Sequence, residues 1–376
     1  MGRALWVVFV AMLLQSLSTA SCRPADNCPA VTFSCPPLPP LTEPAKDVYS
    51  LRPQDIKVVM ALGDSVTAGF GMMGSQGNVV GDLQEYRGQS WSIGGDVNAS
   101  TVATFLRFYT PAIIGGSLGN HIVELCYDIL CPPFQYEPQK DVFNAAQSGA
   151  MIPNLVTHEF DYLYTQLTSN PEVDMANDWK LLTVFVGAND LCLGCSGVFP
   201  SLTADDYYTH LMEVLEEVRT KIPKVFVNLV QLGNISEIYK LSQQSPHCVE
   251  VHRILPIECI CAFLPGDEGD KLRSELDNLA TQYNEKIVEI ASYYSQKHYS
   301  DFAVVVQPFL SNAQAANFTI DFLSTLDCFH PSLCGHQHTA KSLWNNMLTP
   351  MAKKKDYFDY TEPIICPTNT TLLYTY

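Results

Sequence analysis

Short β-branched runs alternate with amphipathic stretches across residues 58–306, and this alternation restricts the fold more than any other feature. The runs are Val58–Leu62, Asp141–Asn144, Leu181–Val186, Val225–Leu229 and Phe302–Val306. Continuous apolar runs of this length suit parallel strands covered on both faces. Between them, Asp205–Lys221 carries Leu211, Val214, Leu215 and Val218 on one helical stripe, and Lys271–Lys297 carries Leu272, Leu276, Leu279, Ile287 and Ile290. The expected class is α/β: a central, mostly parallel five-stranded sheet with helices on both sides, a three-layer sandwich. A 47% hydrophobic share with 16% charged residues supplies a core and excludes a disordered chain.

The first 20 residues read as a secretory signal: Arg3, an apolar stretch from Ala4 to Leu14, then Ser18 and Ala20 at cleavage spacing. The competing reading is a membrane anchor, but the apolar run falls short of the ~20 residues that span a bilayer. Residues 21–47 form a Pro/Cys-rich arm, expected to be extended and tied down by Cys22, Cys28 or Cys35, and residues 48–376 form the folded domain. Thirteen cysteines fit export. Cys126/Cys131, Cys192/Cys195 and Cys328/Cys334 lie close enough in sequence to staple local loops, although connectivity cannot be read from sequence. Zinc at Cys192 and Cys195 is the weaker reading, because no second ligand pair follows at finger-like spacing. Sequons at Asn98, Asn234, Asn317 and Asn369 are glycosylation candidates consistent with the same route. A net charge of −17 argues against nucleic acid as partner and against charge-driven docking on anionic membranes.

Reactive groups in open parallel sheets gather beyond the carboxyl ends of the strands. Gly63-Asp64-Ser65 follows the first expected strand, Asn144–Gly149 the second, and Gly187-Ala188-Asn189-Asp190 the third. Far downstream stands Asp327-Cys328-Phe329-His330. A serine nucleophile needs a base, and the base needs a carboxylate to hold its tautomer. Ser65, His330 and Asp327 supply the three, with Asp190 as the alternative acid. His336 and His338 have no acid three residues before them. Oxyanion donors would be the Ser65 and Gly149 N–H groups and the Asn189 side-chain amide. No metal or other cofactor is called for. Ser65 is not in a Gly-x-Ser-x-Gly elbow, so the usual α/β-hydrolase signature is absent.

These four blocks, giving Ser, Gly, Asn and His in that order, resemble the GDSL, or SGNH, hydrolases. The segment Glu85-Tyr86-Arg87-Gly88-Gln89-Ser90-Trp91-Ser92-Ile93-Gly94-Gly95-Asp96 and the closing Leu373-Tyr374-Thr375-Tyr376 are similar to animal phospholipase B proteins. The resemblance implies an SGNH-type sandwich and a calcium-independent serine esterase. Its substrates would be glycerophospholipids and lysophospholipids, its acyl-enzyme would form on Ser65, and it would meet micelle or membrane surfaces transiently. Membrane-associated members of that group carry tandem repeats and an anchor; one repeat and no anchor are read here, so the expectation is a secreted, extracellular protein. Two rivals remain: an esterase of the same fold acting on acetylated sugars or short-chain esters, and a secreted lipid carrier without turnover.

Overall fold

The computed structural model describes residues 28–126, 136–194, 202–254 and 258–375. At its centre, β1 (Ile56–Gly63), β2 (Trp179–Phe185), β3 (Val225–Val230) and β4 (Phe302–Gln307) form a four-stranded sheet in that order, every pair parallel. All of β2, β3 and β4 is buried, which is why these strands read as largely apolar runs. The helices that matter for the site are α1 (Ser65–Ala68), α2 (Ala188–Gly194), α3 (Ala204–Lys221), α4 (Gly266–Lys297) and α5 (Leu333–Met347).

In α3 the expected stripe Leu211, Val214, Leu215 and Val218 is wholly buried, each side chain contributing about 1.5–3 kcal/mol by leaving water. Thr203 caps the helix, accepting from Asp206 N–H, and the Asp206 carboxylate accepts from Thr203 N–H in return. The long α4 buries Leu276, Ile287 and Ile290, while Leu272 and Leu279 are only partly covered.

The expected fifth strand at Asp141–Asn144 is not formed, so the sheet has four strands rather than five. Pro138–Asp141 makes a helical turn, Val142 then takes φ +52°, and only Asn144 bridges Ala61. The backbone still lies along β1: Ala61 N–H donates to Phe143 O, and Ala145 N–H donates to Ala61 O. Asp141 is held by Arg87 and His121, so a turn anchored by buried charge replaces what four residues alone suggest.

Two of the three short-range pairings, Cys192/Cys195 and Cys328/Cys334, are also corrected. Cys192 pairs with Cys259, Cys328 with Cys248, and Cys334 with Cys28, across 67, 80 and 306 residues. Cα–Cα distances of 4.8, 5.4 and 6.0 Å show that chain returns, not sequence neighbours, bring the right geometry. Cys126 is disulfide-bonded, whereas Cys131, Cys195 and Cys22 lie outside the described residues, as does the leader 1–20. The arm is tied by Cys28–Cys334 and Cys35–Cys366, and its Phe33 ring stacks on Phe105 and meets Trp344 edge-on. Among the described residues, no helix is long and apolar enough to cross a membrane.

Candidate active site

The turn after β1 is built around Gly63. A Cβ there would lie 2.4 Å from Phe185 O at the end of β2, so only glycine lets the two strand ends approach. Asp64 then caps α1, its carboxylate accepting from Val66 N–H at 3.0 Å. Ser65 opens that helix at 8% exposure, with its Oγ 2.7 Å from His330 Nε2.

On the far side of the ring, His330 Nδ1 lies 2.6 Å from Asp327 Oδ2. With Nδ1–H donating to that carboxylate, Nε2 is left as acceptor for the Ser65 hydroxyl. Asp327 Oδ1 also accepts from the Phe329 and His330 amides at 3.0 Å, so the acid shapes its own loop. Asp190, the alternative acid, accepts instead from Ile152 N–H at 3.1 and 3.2 Å, and Asp327 is the carboxylate on Nδ1. The loop is fixed from outside as well. His252 bonds to Asp327 O, Cys248 is joined to Cys328, and Cys328 sits at φ +52°, a region non-glycine residues seldom occupy.

Gly149 takes φ +84°, and the Asn189 amide donates to Ala150 O at 3.0 Å, tying the second and third blocks together. One N–H of that amide is thereby used, and an amide carries two. Asn98, Asn317 and Asn369 are exposed, and Asn234 is half-buried.

Three groups that sequence reasoning passed over support this edge. Arg87, fully buried, pairs with Glu85 and Asp141 and donates to Asn144 O and Ala146 O. Ser148 Oγ in turn donates to Glu85 at 2.5 Å, so the family-like Glu85–Asp96 segment holds the loop that carries Gly149. Glu159, on a π-turn, accepts Gly63 N–H at 2.8 Å. Glu258 brings a carboxylate oxygen to within 4.8 Å of Asp327 and His330 ligand atoms. No motif spacing marks these acids; Glu258, a charged residue inside an otherwise apolar stretch, was the one that sequence could have flagged.

Burial by itself would lower the His330 imidazole, but the charge and hydrogen bond of Asp327, with Glu258 and Asp64 adding, carry it up to about 9. Burial pushes the Asp64 carboxyl up to about 6. Asp327, despite burial, is held below the usual carboxylate range by His330 and by the amides it accepts.

Among the described residues an apolar cavity of about 180 Å³ is lined by Val66, the residue after Ser65. Val66, Leu191, Leu232, Leu241, Phe318 and Phe322 are among its walls, and Phe329 and Pro331 on either side of His330 also line it.

A parallel α/β sheet with a histidine-bound serine at the end of its first strand is the arrangement of a carboxylic ester hydrolase. Residues 59–343 match the family model described as GDSL-like Lipase/Acylhydrolase. The chain is 32% identical over 352 residues to membrane-associated phospholipase B1 of Rattus norvegicus, covering 90% of this chain and 23% of that protein. To the Homo sapiens protein of the same name it is 31% identical over 348 residues, covering 89% and 22%. It thus spans about a quarter of the length of these curated relatives. A solved acetyl xylan esterase from Geobacillus stearothermophilus is similar at 15% identity and a TM-score of 0.36, over 76% of this chain and 94% of that one. The chain belongs to the GDSL-like lipase/acylhydrolase family.

Proposed function

We propose that the protein is a secreted serine esterase that removes acyl chains from glycerophospholipids and lysophospholipids. The observation that carries this reading is the apolar cavity lined by Val66, Phe329 and Pro331, the chain neighbours of Ser65 and His330, whose walls suit a fatty acyl chain. Ser65 Oγ attacks the ester carbonyl while its proton passes to His330 Nε2. Asp327 stabilises the resulting imidazolium. The oxyanion takes the Ser65 and Gly149 amides and the free N–H of Asn189 as donors. Collapse breaks the ester C–O bond, and the glycerol oxygen leaves with the proton from His330. Water, deprotonated by the same nitrogen, then attacks the acyl-Ser65 ester, releasing the fatty acid and restoring the serine. The relatives carry phospholipase in their names, and the cysteine pairs accord with an oxidising compartment.

The test is turnover of phosphatidylcholine and lysophosphatidylcholine micelles in EDTA by the secreted protein and a Ser65→Ala variant. Free fatty acid from the unaltered protein only is the expected result, with the variant lower by about 10³-fold or more. Ser65-dependent cleavage of short-chain esters without lipid turnover would move the substrate to acetylated sugars or small esters. No hydrolysis of either would leave a lipid carrier.

A further inference from the structure

The dyad of His330 and Asp327 has an acid that the Ser–His–Asp scheme does not use. Glu258 lies on the segment between helix Pro246–Ile254 and the turn Ile260–Phe263, far in sequence from the other site residues. Its carboxylate, one nitrogen of His330 and one oxygen of Asp327 all lie within 4.8 Å of one another. The next residue, Cys259, is joined to Cys192 on α2, the helix that also carries Asn189. The acid is therefore fastened to the same scaffold as an expected oxyanion donor.

We infer that Glu258 is a positioning residue that sets the basicity of His330, its negative charge stabilising the imidazolium formed when Ser65 is acylated and when water attacks. The inference rests on the acyl transfer proposed above. At this range, beside a buried ring, a second anion favours the protonated ring in the transition state as it does in the resting protein. Other groups face the ring from each element packed around it. Asp327 comes from its own loop, Asp64 from the turn after β1, and His336 from α5, while His252 reaches the loop through Asp327 O. Phe70 and Phe329 close the ring's remaining sides with apolar surface. Among the described acids near the dyad, Glu258 has no side-chain role in shaping a local turn, whereas Asp64 caps α1 and Asp327 caps its loop. Burial raises the Glu258 carboxyl to about 7, and the His330 charge opposes that rise.

The experiment measures kcat and KM for lysophosphatidylcholine from pH 5.5 to 10 in EDTA. It uses the secreted protein and its Glu258→Gln, Glu258→Asp and Ser65→Ala variants, each checked for a native melting transition. Activity requires neutral His330. Removing the neighbouring charge lowers the ring's affinity for its proton, so the acid limb of kcat/KM in Glu258→Gln moves to lower pH by roughly one unit. The plateau kcat falls by about tenfold, with KM changed less than ~2-fold, because the ring is then a weaker base and its cation less stabilised. Glu258→Asp, which keeps the charge, recovers most of both. An unmoved limb in Glu258→Gln, or a uniform loss that Glu258→Asp does not recover, would overturn the inference while leaving Ser65 chemistry intact. Hydrolysis by Ser65→Ala would overturn the acyl-transfer reading and this one with it.

Discussion

Beneath the Ser65 turn, Glu159 accepts the Gly63 amide in a fully buried site, and burial raises its carboxyl well above the ordinary range. Its ionised form is therefore disfavoured in the fold. In the unfolded chain the same group ionises near pH ~4.3, so the folded protein pays nothing for it below that value. The cost grows as pH rises toward the folded value, because the unfolded state then binds fewer protons. Glu159→Gln, which keeps an acceptor for Gly63, is expected to be no less stable than the parent at pH 5 and more stable at pH 8. Glu159→Ala, which orphans the Gly63 amide and opens a hole, should cost about 2–4 kcal/mol at pH 5 and less at pH 8, where the parent carries the cost of its own carboxyl. Urea midpoints decide it, and a gap between parent and Glu159→Gln that does not widen with pH would mean the carboxylate is ionised in the fold. The juxtaposition of Ser65, His330 and Asp327 was legible because the nucleophile, base and acid roles proposed for them follow spacing rules. Glu159 and Glu258 obey none; their roles depend on which backbone amide or ring the fold brings alongside.

The helix α5 carries the exit of the Asp327–His330 loop, capped by Ser332, whose Oγ accepts Gly335 N–H at 3.2 Å. Its buried face holds His336, whose Nδ1 accepts Trp91 N–H, and burial lowers that ring to about 3. An unfolded histidine takes its proton near pH ~6.5, so this helix contributes full stability above that value and loses it as the medium acidifies. Each pH unit below costs about 1.4 kcal/mol from His336. A His336→Gln variant should therefore show a flatter fall of Tm between pH 6.5 and 5 than the parent; equal slopes would place the loss elsewhere. At this scale the strands and long helices were legible from periodicity alone. The Asp141–Asn144 segment was not, since four residues cannot reveal that Arg87 will claim Asp141 and turn the backbone at Val142. Nor could spacing reveal that Cys328 reaches helix Pro246–Ile254, in which Cys248 lies.

Over the whole molecule, 39 acidic residues face 22 basic ones. Approach to a surface of like charge is opposed at long range, and salt screens that repulsion over ~10 Å at 0.1 M. Fatty acid release from mixed micelles should thus be faster on zwitterionic lipid than with added anionic lipid at low salt. Raising NaCl from 20 to 300 mM should narrow the difference several-fold, measured as initial rates; a salt-independent ratio would put the preference in the site itself. Class and layer order were legible at this scale because alternating elements allow few arrangements. The closure of the two ends was not, because Cys35 and Cys366 are separated by 331 residues. That closure has a mechanical side. Tension applied outside these two cysteines travels through one sulfur–sulfur bond, and the sheet carries none of it. At ~3.4 Å per extended residue, more than ~1,000 Å of chain is locked out of reach of a pull. Under load the oxidised domain is inextensible, and only a reductant turns it into a spring.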